Sequence, residues 1–218
     1  MERINQEDFP KNTEPQKNIE PSELKREETK EEKIEKLRIL HGLTSITHTF
    51  ENWKHLPGTE KAYKAFKDMA EGKSRPMLLV CGGLGNGKTF LCEALSIALY
   101  RRGERCPVNL WSELRRQLLQ AMHRPKPGRM DYDTLFENIR RRKRLIIDDV
   151  GMGSKGTEWE MAELEDIINY RYRERLFTVM TTNRALEELP DRVVSRFFDS
   201  EVSQVVINEG KDYRIRQI

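Results

Sequence analysis

The stretch Gly82-Gly83-Leu84-Gly85-Asn86-Gly87-Lys88-Thr89 decides how the rest of the chain is read. Its spacing, G-x-x-x-x-G-K-[ST], is that of a phosphate-binding loop. The apolar run at 77–81 before it predicts a buried parallel strand, and the run from Phe90 to residue 100 predicts a helix. Strand, glycine-rich loop and helix in that order are the context the motif requires. Glycines let backbone N–H groups curl around phosphate oxygens, and the helix N-terminus adds partial positive charge. Lys88 is expected to reach the β- and γ-phosphates of ATP, and the Thr89 hydroxyl to ligate Mg2+. Gly82 through Thr89, with Phe90 opening the helix, is the candidate nucleotide-binding set. The competing reading, a glycine-rich turn that binds nothing, has to explain four glycines, a Lys-Thr pair and both flanks at once.

A second chemical motif lies some way downstream, in Arg144-Leu145-Ile146-Ile147-Asp148-Asp149-Val150-Gly151. An apolar strand ending in paired carboxylates is the Walker B pattern. Asp148 is expected to hold Mg2+ through its water shell, and Asp149 to polarise the attacking water. Alone, the segment reads equally as a strand running into an acidic turn; the phosphate loop upstream favours chemistry.

Outward from these motifs, helical and strand periodicities alternate. A helix at 60–70, capped by Thr59, puts Ala62, Ala65, Phe66 and Met69 on one face. A strand at 107–111 precedes a helix capped by Ser112, with Leu114, Leu118, Leu119 and Met122 apolar. Further helices are expected at 132–139, 158–173 and 191–198, and further strands at 176–183 and 201–207. The 158–173 helix carries Met161, Leu164, Ile167, Ile168 and Tyr172 inward. The 191–198 helix carries Arg192 and Arg196 four residues apart, hence on one face. Strands alternating with helices predict an α/β fold with a doubly wound parallel sheet. No internal repeat is visible.

The chain has 218 residues, 34% of them charged, with a net charge of only +3. Nucleic-acid binding therefore needs a local patch rather than an overall field. Candidates are Arg141 and Arg142 within the run 140–144, Lys126 and Arg129 in a basic loop, and Arg115 with Arg116. The bland reading of the run is a solvated lead-in to a strand. No apolar run approaches a membrane span and no signal peptide follows Met1, so the expected location is cytoplasmic. Cys81, Cys92 and Cys106 form neither a C-x-x-C pair nor a cluster with histidines, and read as buried thiols. Residues 1–40 differ in composition, with 11 acidic and 9 basic residues and Pro10, Pro15 and Pro21. They predict a charged arm, disordered over 1–21. A helix at 22–40 would be capped by Ser22, end before Gly42, and carry a thin stripe of Ile34, Leu37 and Leu40. It reads either as a solvated helix packing one end on the domain or as a docking helix for a partner.

Taken together, Thr49-Phe50-Glu51-Asn52-Trp53, the phosphate loop, Ile147 to Gly151, Glu158-Trp159-Glu160, Ile167 to Tyr172, Thr181-Thr182-Asn183 and Arg192-Val193-Val194-Ser195-Arg196 resemble an AAA+ ATPase. More narrowly they resemble the DnaC/DnaI/IstB family of helicase loaders and transposition helper ATPases, over roughly residues 45–216. That resemblance implies a P-loop NTPase domain at 41–218 behind the arm at 1–40. It implies Asn183 as the sensor that orients water toward the γ-phosphate. Arg196 becomes an arginine finger for a neighbouring subunit, Arg214 a second sensor, and Phe50 a neighbour of the adenine. It further implies an ATP-dependent homo-oligomer, single-stranded DNA, and a hexameric replicative helicase as partner. In a transposition helper the partner would be a transposase instead. An adaptor that uses ATP only as an assembly cue is a third reading, because Asp149 stands where many AAA+ proteins carry Glu. A small-molecule kinase is a fourth, opposed by Asn183 and the Ser195-Arg196 pair. The sequence stops soon after Arg214, so no full helical lid is expected, and no zinc-binding N-terminal domain is found.

Overall fold

The computed structural model describes residues 29–123, 128–151 and 158–213. Five strands, β1 (Met77–Gly82), β2 (Val108–Leu110), β3 (Arg144–Val150), β4 (Phe177–Thr182) and β5 (Ser203–Asn208), form one parallel sheet. Their order is β2-β3-β4-β1-β5. β4 thus lies between the strand that leads into the phosphate loop and the strand that ends in the paired carboxylates.

Side chains alternate across each strand, so one strand feeds two cores. Leu78 and Val80 of β1 face a layer built by α2 (Glu60–Glu71) and α3 (Lys88–Tyr100). Met77, Leu79 and Cys81 face the opposite layer, with α4 (Trp111–His123), α5 (Tyr132–Arg140), α6 (Glu158–Arg173) and α7 (Asp191–Phe198). Burial on both faces is why the strands read as continuous apolar runs. The expected helices at 158–173 and 191–198 are found at those bounds. Two expectations are corrected. α4 begins at Trp111, directly after β2, so Ser112 sits inside its first turn instead of capping it. Met122 near the end of α4 is 39% exposed, while Trp111, Leu114 and Leu118 are the residues that this helix buries.

The helix α1 (Lys30–His41) starts at Thr29, which closes a reciprocal capping box with Glu32, rather than at Ser22. Ser22 lies outside the described residues. α1 ends at Gly42, whose φ of +61° and approach to the Val108 carbonyl exclude a side chain. Its stripe is thin: Ile34 and Leu37 are half-buried, while Ile39 and Leu40 are 68% and 48% exposed.

Two buried cationic or polar side chains hold the strand lead-ins. Arg171 on α6 donates from Nε to Thr178 Oγ1, from Nη1 to the carbonyls of Arg140 and Arg142, and from Nη2 to that of Phe177. It latches the starts of β3 and β4 together, and burial draws its pKa down to about 10. His41 is buried at 1% exposure against Ser96 and the Tyr100 ring. Ser96 Oγ donates its hydrogen to the Cys106 carbonyl at 2.6 Å. His41 Nδ1 must therefore be the donor in its 3.0 Å contact with Ser96, which leaves Nε2 as a buried lone pair.

Burial, and secondarily Arg105, lowers the His41 pKa below its ordinary 6.5. A depressed histidine stabilises the fold fully above the unfolded pKa, and the stabilisation is lost as pH falls through 6.5. The expected slope reaches about 1.4 kcal/mol per pH unit for one proton. Thermal melts at pH 7.5 and 5.5 should show a larger drop for wild type than for His41→Gln. Equal drops would exclude His41 as the titrating group.

Candidate nucleotide-binding site

The phosphate loop is built where β1 stops and α3 starts. α3 begins at Lys88 behind Gly87, which has φ +89° and supplies no capping side chain, so the first-turn N–H groups are left for an anion. Lys88 is 8% exposed and closes the loop on itself. Its Nζ donates to the carbonyls of Gly82 and Gly83 at 2.8 and 2.7 Å, and to Asn86 Oδ1 at 3.1 Å. Burial lowers its pKa, with Asp148 and Asp149 opposing that shift.

Asp148 is wholly buried at the end of β3. Its Oδ2 accepts from Thr89 Oγ1 at 2.7 Å, and its Oδ1 accepts from Thr181 Oγ1 and, at 3.6 Å, from Cys92 Sγ. A hydroxyl and a carboxylate presented together suit a hard cation such as Mg2+. Among the described residues no group of three or more His, Cys, Asp or Glu side chains is placed to hold a metal. The remaining ligands of such an ion would be water and phosphate. β3 breaks register with β4 between Ile147 and Val150, and Asp149 there adopts φ +60°, unusual for a non-glycine residue. Strict alternation would send two consecutive carboxylates to opposite faces; the bulge keeps both within the field of Lys88. Thr181 Oγ1 accepts from the Asp149 amide at 3.0 Å, which fixes the irregularity. Burial, then Asp148, raises the Asp149 pKa, with Lys88 opposing.

Other segments close over the loop. Asn86 and Asn208 exchange side-chain amide bonds with each other's carbonyls at 3.1 and 3.0 Å, joining the loop to the end of β5. The chain then crosses the loop: the Tyr213 amide donates to the Gly85 carbonyl at 3.0 Å. A Cβ on Gly85 would meet the Asp212 carboxylate at 1.7 Å, and one on Gly87 would meet the Trp53 ring at 2.5 Å. Trp53 also has a buried Nε1 with no acceptor among the described residues, so a cradle and an unsatisfied donor flank the loop.

Asn183 is half-buried directly after β4, at the same end of the sheet as the loop and the carboxylates. Arg196 on α7 donates from Nε to Asn169 Oδ1 at 2.8 Å and stacks over Tyr172 at 5.0 Å, while Arg192 lies 3.7 Å from Glu165. An i, i+4 pair on α7 thus meets an i, i+4 pair on α6. Phe50 is 6% exposed, packed on Tyr63 in the core; Trp53 from the same segment is the ring that reaches the loop. Phe90 is half-buried and packs against Trp53 and His48. Leu84 is 60% exposed on the loop. The three thiols are free and buried, with Cys81 pushed up to about 11 and Cys106 to about 12 by burial. Arg214 and Lys126 lie outside the described residues.

The basic candidates divide. Arg115 pairs with Glu160 at 2.5 Å, Arg141 with Glu137 at 2.5 Å, and Arg142 donates to Asn109 at 3.0 Å. Arg116 and Arg129 are exposed. Trp53 and Thr181 lie in segments that the sequence marks, but their roles, like those of Asn208 and Asp212, come from tertiary contact: Trp53, Asn208 and Asp212 reach the loop and Thr181 the carboxylate pair.

An acidic group against a phosphate-binding loop should oppose an incoming anion. Asp212→Asn keeps the shape and removes the charge. It should tighten ATP binding about fivefold, the equivalent of about 1 kcal/mol for a partly solvated charge pair, as read by titration with a fluorescent ATP analogue. Unchanged or weaker binding would show that the carboxylate does not face the phosphates.

Comparison with known proteins fits this geometry. The chromosomal replication initiator protein DnaA of Nautilia profundicola is 31% identical over 156 residues, covering 69% of this chain and 34% of its own. The chain therefore spans about a third of the length of that relative. Among solved structures, AMPPCP-bound DnaA from Aquifex aeolicus superposes with a TM-score of 0.63 at 24% identity, over 76% of this chain and 51% of that one. The DnaC helicase loader superposes with a TM-score of 0.63 at 20% identity, over 75% of this chain and 98% of that one. Both share the fold. The family described as IstB-like ATP binding protein matches residues 24–207, a span that includes α1, both chemical motifs and all five strands but for the last residue of β5. The chain belongs to that ATP-binding family, on the AAA+ P-loop fold.

Proposed function

We propose that the protein is a Mg2+-dependent ATPase that assembles through ATP, engages single-stranded DNA and delivers or remodels a hexameric replicative helicase. The observation that carries the ATPase reading is the convergence of Lys88, Thr89, Asp148 and Asp149 at one end of the sheet, with Thr89 already bonded to Asp148. Lys88 exchanges its loop carbonyls for the β- and γ-phosphates. Thr89 and Asp148 hold Mg2+, which when bound spreads the charge of the transferring phosphate. Asp149 accepts the proton of the attacking water and Asn183 orients that water. Arg196 completes the γ-phosphate site of the next subunit, and Arg214 serves as the second sensor. The arm at 1–40 docks the partner of the ATPase domain at 41–218; the exposed Ile39 and Leu40 on α1 support that role. A transposition helper acting on a transposase is the second reading, and the IstB description of the family favours it. Retention of a replicative helicase, or of a transposase, on immobilised full-length protein with and without ATP separates the two.

Lys88→Ala should abolish ATP binding, since the phosphates lose their only flexible cation in the loop. Asp149→Asn should bind ATP and lose turnover. Equal affinity and equal turnover in both variants and wild type would sink the ATPase reading, and intact turnover in Asp149→Asn would assign the water to another base.

Arg196→Ala should bind ATP nearly normally and fail to hydrolyse it, because its own loop is intact and no neighbour supplies the finger. Mixed with Lys88→Ala, it should regain part of the activity: the Lys88 variant donates Arg196 to an intact loop. Such a finger is worth roughly three to five orders of magnitude in rate. Rates across mixing ratios, with DNA present, decide. Co-assembled mixtures as inactive as either parent would remove the trans role.

A further inference from the structure

We infer that the end of the sheet opposite the nucleotide loop is a binding face for the phosphate backbone of single-stranded nucleic acid. The inference deepens the reading of the chain as a DNA-acting ATPase and rests on it.

Parallel strands bring all their lead-ins to one end. Arg75 precedes β1, Arg105 precedes β2, Lys143 precedes β3 and Arg175 precedes β4, and all four are exposed. Register keeps these lead-ins side by side. Arg144 pairs with Phe177, Val108 with Ile146 and Met77 with Thr178, while the Thr178 amide donates to the Pro76 carbonyl at 2.8 Å. In sheet order the row reads Arg105, Lys143, Arg175, Arg75. At about 4.8 Å between neighbouring strands it spans roughly 15 Å. The row ends at β5, whose lead-in is Asp199-Ser200-Glu201. Arg141 and Arg173, also exposed, flank it.

The cations beneath the row make it more than a decorated edge. Arg171 is fully buried, and its four hydrogen bonds go to three carbonyls and a threonine hydroxyl, all neutral. Arg142 is half-buried on the neutral Asn109 amide, and burial and then Arg105 depress its pKa. Charge crowded this way with neutral partners projects positive potential outward and gains from an external anion. The nearby carboxylates are partly used: Glu104 pairs with Arg144 and Arg102, and Glu137 with Arg140 and Arg141. Glu174, between Arg173 and Arg175, offsets one charge. The competing explanation is that these cations complement helix C-termini, which share this end of the sheet. A helix end carries about half a charge, so it accounts for a cation at each terminus, not for the second rank beneath them.

The test is anisotropy of a labelled oligo-dT with the full chain, titrated against salt. Arg75→Glu/Lys143→Glu/Arg175→Glu should weaken binding at least tenfold and reduce the log–log salt slope by about 2, as losing three phosphate contacts on a single strand requires. The matching triple glutamine variant should show a smaller loss in the same direction. ATP affinity and melting temperature should stay at wild-type values, and the exposed-site control Lys61→Glu/Lys64→Glu on α2 should bind as wild type. Unchanged affinity and slope in both triple variants would overturn the face while leaving the DNA-acting reading intact. Equal loss in the control would also overturn it, as would a loss that tracks a lower melting temperature. Displacement of the oligonucleotide by polyglutamate at equal charge would overturn nucleic acid as the occupant. A wild-type chain that binds no DNA would remove the face and the DNA-acting reading together.

Discussion

The site depends on one buried carboxylate. Asp148 has no exposure, and an unpaired charge there would cost several kcal/mol. Donors on two other elements satisfy it: Thr89 and Cys92 from α3, and Thr181 from β4. Those bonds define the relative position of the loop helix, the carboxylate strand and the strand between them. They also dictate the bulge, because Thr181 serves both the Asp148 carboxylate and the Asp149 amide. A regular β3 would satisfy Asp148 and turn Asp149 away. The positive φ at Asp149 is the local cost of keeping both carboxylates at the loop, and backbone strain of this kind costs about 1–3 kcal/mol.

The loop itself is preorganised by its own carbonyls. Lys88 spends its three donors on Gly82, Gly83 and Asn86, and Asn86 is in turn locked to Asn208. A nucleotide therefore meets a formed cradle and exchanges neutral acceptors for anionic ones, which form the stronger hydrogen bonds with an ammonium. Little ordering remains to be done at binding. Trp53 above Gly87 and Asp212 beside Gly85 explain why those positions tolerate no side chain even before phosphate is considered.

What the sequence made legible follows from which forces are local. The loop, the carboxylate pair, the strand–helix alternation and the bounds of α6 and α7 are written in spacing and periodicity. The start of α1 is not, because Ser22 and Thr29 are both competent caps; Glu32, three residues after Thr29, closes the box that decides between them. Ser112 failed as a cap because Trp111 packs into the core and the helix already starts there, two residues before the start a Ser112 cap would give. Phe50 and Trp53 lie in one aromatic segment, and only packing shows that the first fills the core and the second covers the loop. The basic run 140–144 reads as one patch in sequence. In the fold its members separate: Arg140 and Arg141 share Glu137, Arg144 pairs with Glu104, Arg142 turns to Asn109, and Lys143 faces out.

The segment between the arm and the nucleotide is tied to α3 along its length. Lys88 and Thr89 stand at the first turn of α3. One turn on, the buried Glu93 accepts from the amides of Thr44 and Ser45 and from the Thr44 hydroxyl, and binds His48 at 2.7 Å. Ser96 then holds His41, and Tyr100 packs on the same ring. Residues 41–48 thus run antiparallel to the helix, and the chain continues through Phe50 to Trp53, which returns to Gly87. A 13-residue helix is too stiff to bend between these points. Motion at the loop therefore reaches α1 only as a rigid displacement of α3, or through Trp53 and the segment bound to Glu93. Of the two, the second needs no rearrangement of the sheet, because Trp53 touches the loop directly and Glu93 fixes its far end. Any dependence of the arm on nucleotide has its shortest physical path there, along 41–53, rather than across the strands.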